Sequence, residues 1–261
     1  MNKNSNKYII TYASVMVIIV AAVLSFAALQ LKDRQDNNVR MEKMGDLLRS
    51  IGKGEDANSV KDKFAYITEE YDKYIQKAYT VTTDGNISDG DAFEILLNLK
   101  SEYDKSAAER NLPVFESNDN GKKYYVLPTW GSGLWGPVWG YVALEEDWST
   151  IYGIILDHAS ETPGLGAEIT SSAFQDQFKG KQIYSGDKFV GITVLKNGAE
   201  NNPHAVDAIS GGTITSRAVE TMIANCIKNY GEYIAKQRQA EVAVVSVSEV
   251  ESEQVNTTDD E

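Results

Sequence analysis

Ser210-Gly211-Gly212-Thr213-Ile214-Thr215-Ser216 sits between a short apolar run, Ala205 to Ile209, and a long stretch whose apolar residues recur at helical spacing. The pattern reads as strand, tight turn and helix. Glycines permit positive φ and close backbone approach, and a helix starting here directs its unpaired amides and the positive end of its dipole at whatever fills the turn. Such a seat suits a phosphate. Ser or Thr at a helix start is also ordinary capping, so the segment alone leaves both readings open. Beyond it, Val219, Met222, Ile223, Cys226, Ile227, Tyr230 and Ile234 share one face, which predicts a helix packed against a sheet.

The sheet is legible upstream. Short aromatic and β-branched runs at Tyr124 to Leu127, Val138 to Leu144, Thr150 to Leu156, Phe189 to Leu195 and Ala205 to Ile209 predict strands of one sheet. Sheet plus covering helix gives an α+β class. Asp33 to Ile51 and Asn58 to Tyr79 are charged with intermittent apolar positions and predict helices. Ala92 to Arg110 predicts a helix or mixed segment ended by Asn111-Leu112-Pro113. Asp84-Gly85-Asn86 is a hairpin-type turn signal.

At the amino terminus no charge interrupts Tyr8 to Leu31. At about 1.5 Å per residue this run reaches roughly 36 Å, enough to cross a hydrocarbon core with some tilt. A retained anchor is expected. Ser25-Phe26-Ala27 offers the small-x-small pattern of a cleavable signal, but the apolar run exceeds a usual signal core.

Net charge is −13, so the electrostatic footprint of nucleic-acid binding is missing and no nucleic-acid partner is expected. Residues 241–261 hold seven acidic groups and no basic one, and are expected to be a disordered tail. The single cysteine, Cys226, excludes an internal disulfide framework and cysteine-rich metal or iron–sulfur sites. Counting an EF-hand from Asp84 places Asp89 where Gly is needed and Ile95 where Glu is needed, so calcium is not implied. Gly131-Ser132-Gly133-Leu134-Trp135-Gly136 has dinucleotide-binding spacing, yet Pro137 and a strand-like run follow it where a helix is required. Its glycines predict a tight turn between strands, and Trp135 and Trp139 are expected to pack on the sheet, with contact to a flat ligand face as the second reading. Ser210 lacks the nucleophile-elbow context, and His158 and His204 form neither a triad pattern nor a metal site. No catalytic residue is expected.

Glu161-Thr162-Pro163-Gly164-Leu165-Gly166, about fifty residues before the glycine turn, cannot be regular helix or central strand. Together with Gly133-Leu134-Trp135-Gly136-Pro137-Val138-Trp139-Gly140-Tyr141 and the glycine turn, it resembles the C subunit of the bacterial sodium-translocating NADH:quinone oxidoreductase, a covalent FMN-binding domain family. The likeness runs from about Leu31 to Arg238. Gly212 stands where the family usually has Ala. The resemblance implies that Thr215 is esterified through its hydroxyl to the phosphate of FMN. It further implies that Ser210, Gly211, Gly212, Thr213, Glu161, Thr162, Gly164 and Leu165 bind the cofactor.

By the same resemblance an FMN transferase installs the flavin from FAD. The chain would then relay electrons within a six-subunit complex that oxidises NADH, reduces quinone and moves sodium outward. The expected organisation is a cytoplasmic amino terminus at 1–7, a transmembrane helix at 8–31 and a helical or mixed membrane-proximal region at 32–122. An FMN-binding domain with a mainly antiparallel sheet follows at 123–240, then the tail at 241–261. The protein is expected in the inner membrane as a single-pass chain with its soluble domain on the periplasmic side. Other readings are the homologous G subunit of a ferredoxin-type electron-transport complex, a stand-alone extracytoplasmic flavin-binding reductase module, and a non-redox exported interaction protein.

Overall fold

The computed structural model describes residues 6–240, and the expected tail lies outside them. The chain groups into two units that divide between Glu42 and Lys43. The first is most of helix α1 (Asn6–Ser50). Between Ile9 and Leu31 its apolar side chains are exposed on every side, and it is the one helix among the described residues long and apolar enough to cross a membrane. The separate helix expected from Asp33 is a continuation of α1, because no proline interrupts the stretch from Leu31 to Ser50.

The second unit is built on a six-stranded antiparallel sheet. Its chain order is α2 (Lys63–Tyr74), β1 (Ile75–Thr82), β2 (Ile87–Ser88), α3 (Ala92–Leu97), α4 (Leu99–Tyr103), β3 (Asn111–Asp119), β4 (Lys122–Ser132), β5 (Pro137–Leu144) and β6 (Ile151–His158). In space the strands lie β2-β1-β3-β4-β5-β6. The short helix α5 (Ser172–Gln175) leads to two small ribbons, β7 (Tyr184–Ser185) with β8 (Lys188–Phe189), and β9 (Thr193–Leu195) parallel to β10 (Ala205–Asp207). Helix α6 (Thr213–Asn229) follows, and after Tyr230 a further helical stretch covers 231–240.

The α+β class and the antiparallel sheet agree with the sequence reading, and so do the strand positions of β4, β5 and β6. Four details differ. The helix expected to Tyr79 stops at Tyr74, and β1 begins with Ile75. Its β-branched residues Ile75, Thr80, Val81 and Thr82 pair with β3, so long-range pairing overrides the charged helical texture. The strand expected over Phe189 to Leu195 is split by Gly191 at φ +68°. With Ala205 to Asp207 it lies outside the main sheet, whose last strand is β6. The sheet also draws β1, β2 and β3 from 75–119, so it extends across the expected division at 122/123. Asp84-Gly85-Asn86 does turn β1 into β2, with Gly85 at φ +73°.

Leu112, Val114, Leu127, Val142, Leu144 and Leu156 of the sheet share one buried cluster with Val219, Met222, Ile223, Cys226 and Ile227 of α6. Burying such side chains contributes roughly 1.5–3 kcal/mol each, against about 1 kcal/mol for a capping bond. Packing therefore holds α6 in place. Gly131 lets β4 approach it, since a Cβ there would meet Met222 Cβ at 2.8 Å.

Candidate functional site

Three segments meet at one end of the sheet. The β4–β5 register pairs Ser132 with Pro137, and the β5–β6 register pairs Val138 with His158, so the 133–136 turn and the chain after His158 emerge side by side. Gly133 closes the turn by donating its amide to Gly136 O at 2.7 Å. The third segment, Ile209 to Thr215, is carried there by α6, which packs on β4.

Within the second segment Thr162-Pro163-Gly164-Leu165 has the pattern of a type II turn. Pro163 stands at the second position, Gly164 has φ +75°, and Leu165 N donates to Thr162 O at 3.1 Å. The turn folds Gly166 back over α6. A Cβ on Gly166 would overlap both Thr215 Oγ1 and Glu161 Oε2, so only glycine fits. A Cβ on Gly211, at φ +76°, would meet Leu165 Cδ2 at 2.6 Å, and one on Gly212 would meet Ile209 Cγ2 and Leu165 O at 2.9 Å.

The N-cap of α6 is Gly212, and it makes no side-chain capping bond. Ser216 Oγ donates back to Gly212 O at 3.0 Å and accepts from Ile209 N. Thr215 Oγ1 instead donates to Glu161 Oε2 at 2.7 Å, where the two residues are 1% and 4% exposed. The other oxygen, Glu161 Oε1, accepts the Trp135 amide at 2.9 Å, and the Glu161 amide donates to His158 Nδ1 at 3.2 Å. Burial pushes the Glu161 carboxyl pKa up, but the Trp135 amide, the Thr215 hydroxyl, the Leu134 amide and the nearby His158 outweigh it. The result lies below the ordinary value, and the group is an ionised carboxylate at neutral pH.

Glu161, Thr162 and Leu165 on one side and Gly211, Gly212, Thr213 and Thr215 on the other line a shared cleft of about 160 Å³. Ligand pockets usually hold about 300–1,000 Å³, so this cleft has room for no more than one end of a large ligand. The rest would lie on the apolar rim of Leu134, Trp135, Leu165 and Ile214, all exposed, with Trp135 at 67%. Two expected site residues do not line the cleft. Ser210 is solvent-exposed just before it, and Gly164 supplies only the turn. Leu134, Ile214 and Gly166 were not foreseen there, and Trp135 only as the alternative to sheet packing. Trp139 packs on the sheet as expected, stacked with Trp130 at 5.7 Å, but Trp135 does not. For Gly166 a signal was present, since a type II turn needs only one glycine and Gly164 already supplies it.

Residues 133–228 match the model of the FMN-binding domain family, a span holding all three segments of the cleft. The fold and the matched span are those of an FMN-binding domain. A solved structure of the C subunit of the Na(+)-translocating NADH-quinone reductase from Parabacteroides distasonis superposes with a TM-score of 0.66 at 35% identity, covering 78% of this chain and 96% of its own. NqrC of Shewanella oneidensis superposes at 0.62 with 26% identity over 78% and 99%. The corresponding reductase polypeptide of Vibrio alginolyticus is 29% identical over 92% of this chain and 98% of its own. The chain belongs to the NqrC family, the C subunits of Na(+)-translocating NADH-quinone reductases, and is a flavoprotein component of an oxidoreductase complex.

Proposed function

We propose that this chain is a membrane-anchored subunit that carries FMN as a phosphoester on Thr215 and relays electrons within a sodium-translocating NADH–quinone reductase. One observation carries the reading: Thr215 is a cleft-lining hydroxyl at a helix start that neither caps the helix nor returns to its own backbone. The chain's residues fit the group. Gly211 and Gly212 bring backbone close to the cleft, and the first-turn amides of α6, which lack intrahelical acceptors, suit a phosphate. Leu134, Trp135, Leu165 and Ile214 give the flat ring an apolar bed while leaving an edge open to partner subunits.

Bound FMN supplies the capacity to take up and release electrons. The chain's own part is to tether, orient and partly shield it. A threonyl ester prevents loss of the cofactor from an extracytoplasmic domain; α1 supports attachment to a membrane, and the family likeness makes that the inner membrane with the domain on its periplasmic side. The other subunits of the six-subunit pump are the partners, and an FMN transferase drawing on FAD is the maturation partner. Thr162 and Thr213, on opposite sides of the cleft, are assigned to the polar atoms of the cofactor. Ser210 and Gly164 act through the backbone turns they belong to.

The test is intact mass and in-gel flavin fluorescence of the full chain co-expressed with a transferase. Wild type is expected to be fluorescent and heavier by one FMN, and Thr215→Ala to be neither. A fluorescent, FMN-heavy Thr215→Ala chain would refute the assignment. Loss in Thr213→Ala alone would move the attachment there.

A further inference from the structure

We propose that Glu161 is the base that receives the hydroxyl proton of Thr215 when that residue is esterified. The inference rests on Thr215 being the attachment point, and it adds a chemical role for a second residue of this chain.

The hydroxyl residues of α6 provide the comparison. Thr221 Oγ1 donates to Arg217 O and Ser216 Oγ to Gly212 O, each at 3.0 Å, the usual return to the preceding turn. Thr215 breaks that habit. Its proton points to a carboxylate 54 residues away at 2.7 Å, inside the 2.6–3.2 Å reach expected of a general base. At 1% and 4% exposure, water does not compete for the proton.

The carboxylate is built to stay. Glu161 Oε1 is fixed by the Trp135 amide and the backbone of Glu161 by His158 Nδ1, so Oε2 is held toward Oγ1. Two glycines make room for the pair. A Cβ on Gly133 would overlap Oε1, and one on Gly166 would overlap Oε2 and Oγ1. No lysine or arginine forms a salt bridge with Glu161 among the described residues. A buried carboxylate without a cation is costly, and here it is kept with one oxygen on the Trp135 amide and the other on the Thr215 hydroxyl.

The step balances. Oγ1 attacks the flavin-side phosphorus of a flavin dinucleotide, the Oγ1–P bond forms and the phosphoanhydride P–O bond breaks. The bonding pair leaves with the nucleoside monophosphate, and the hydroxyl proton passes to Glu161 Oε2. Nothing is oxidised or reduced. An alcohol attacking phosphorus next to a carboxylate that accepts its proton is the arrangement used in phosphoryl transfer to hydroxyl substrates.

The experiment follows FMN mass gain of the purified full-length chain with FMN transferase and saturating FAD, varying the acceptor concentration. Thermal melting of every variant is recorded in parallel. Glu161→Gln keeps the size, but with its carbonyl on the Trp135 amide it turns an NH2 donor toward Oγ1 and cannot take the proton; it is expected to lower kcat about 100-fold with KM for the acceptor within about twofold of wild type. Glu161→Asp, which keeps the charge but sets it one methylene back, is expected to fall between, and it decides the matter if the Gln variant does not fold. Wild-type kcat in either folded variant, or a defect confined to KM, would overturn the proposal. Thr215→Ala run alongside separates the two ideas: mass gain there defeats the attachment site, whatever Glu161 does.

Discussion

The α carbon of Gly166 faces the Thr215 hydroxyl so closely that a Cβ on residue 166 would overlap Oγ1 and the carboxylate that accepts its proton. Gly166→Ala is therefore expected to displace the 161–166 loop from α6. Overpacking of this kind costs about 1–3 kcal/mol, a fall in Tm of roughly 2–4 °C per kcal/mol. The same variant is expected to lose flavin attachment, read by intact mass. A normal Tm with full FMN loading would show that the loop tolerates the side chain.

At the opposite end of α6, the buried Tyr230 hydroxyl donates to Pro113 O at 3.0 Å and fastens the helix end to β3. Tyr230→Phe keeps the ring and strands that carbonyl, at about 1–3 kcal/mol. Urea unfolding is expected to give a lower midpoint at unchanged m. FMN loading should persist, because the cleft is at the other end of the helix.

Gly131 and Met222 form a coupled pair, since a Cβ on residue 131 would meet Met222 Cβ at 2.8 Å and Cγ at 2.9 Å. Gly131→Ala is expected to destabilise by about 1–3 kcal/mol. The double variant with Met222→Gly, which removes both clashing atoms, should lose less than the sum of the two single changes. The difference, of order 0.5–3 kcal/mol, is read from a double-mutant cycle, and strict additivity would contradict the contact.

The Glu161 carboxyl has a folded-state pKa below its ordinary 4.5. As pH falls the unfolded chain takes the proton first, so the stabilisation is present above the unfolded value and is lost as pH drops through the folded one. Glu161→Gln lacks this component. The stability gap between wild type and the variant is therefore expected to be constant from about pH 7 to 5.5 and to narrow below about pH 4.5. A gap that widens on acidification would reverse the assigned direction.

Much of the core could be read directly. Val219, Met222, Ile223, Cys226 and Ile227 are spaced for one helical face and are at most 2% exposed. The runs now in β4, β5 and β6 declared themselves by β-branched and aromatic content. β1 did not, because Gln76 and Lys77 give it helical texture and its strand state depends on pairing with β3, some thirty residues away. The cleft was half legible: the glycine turn and the Thr-Pro-Gly turn advertise unusual backbone. That Trp135 and Leu134 would form its rim depends on the β4–β5 and β5–β6 registers, which place two distant turns at one end of the sheet.

By itself the sequence determined an apolar amino-terminal helix, an α+β domain, a helix preceded by glycines and a threonine suited to a phosphate. These are local properties, set by periodicity and by the φ freedom of single residues. Only the tertiary structure decided that this threonine would donate to Glu161 rather than to its own helix. That choice depends on a contact across 54 residues, on the side of α6 that the core leaves free, and on two glycines whose missing side chains let the partners meet.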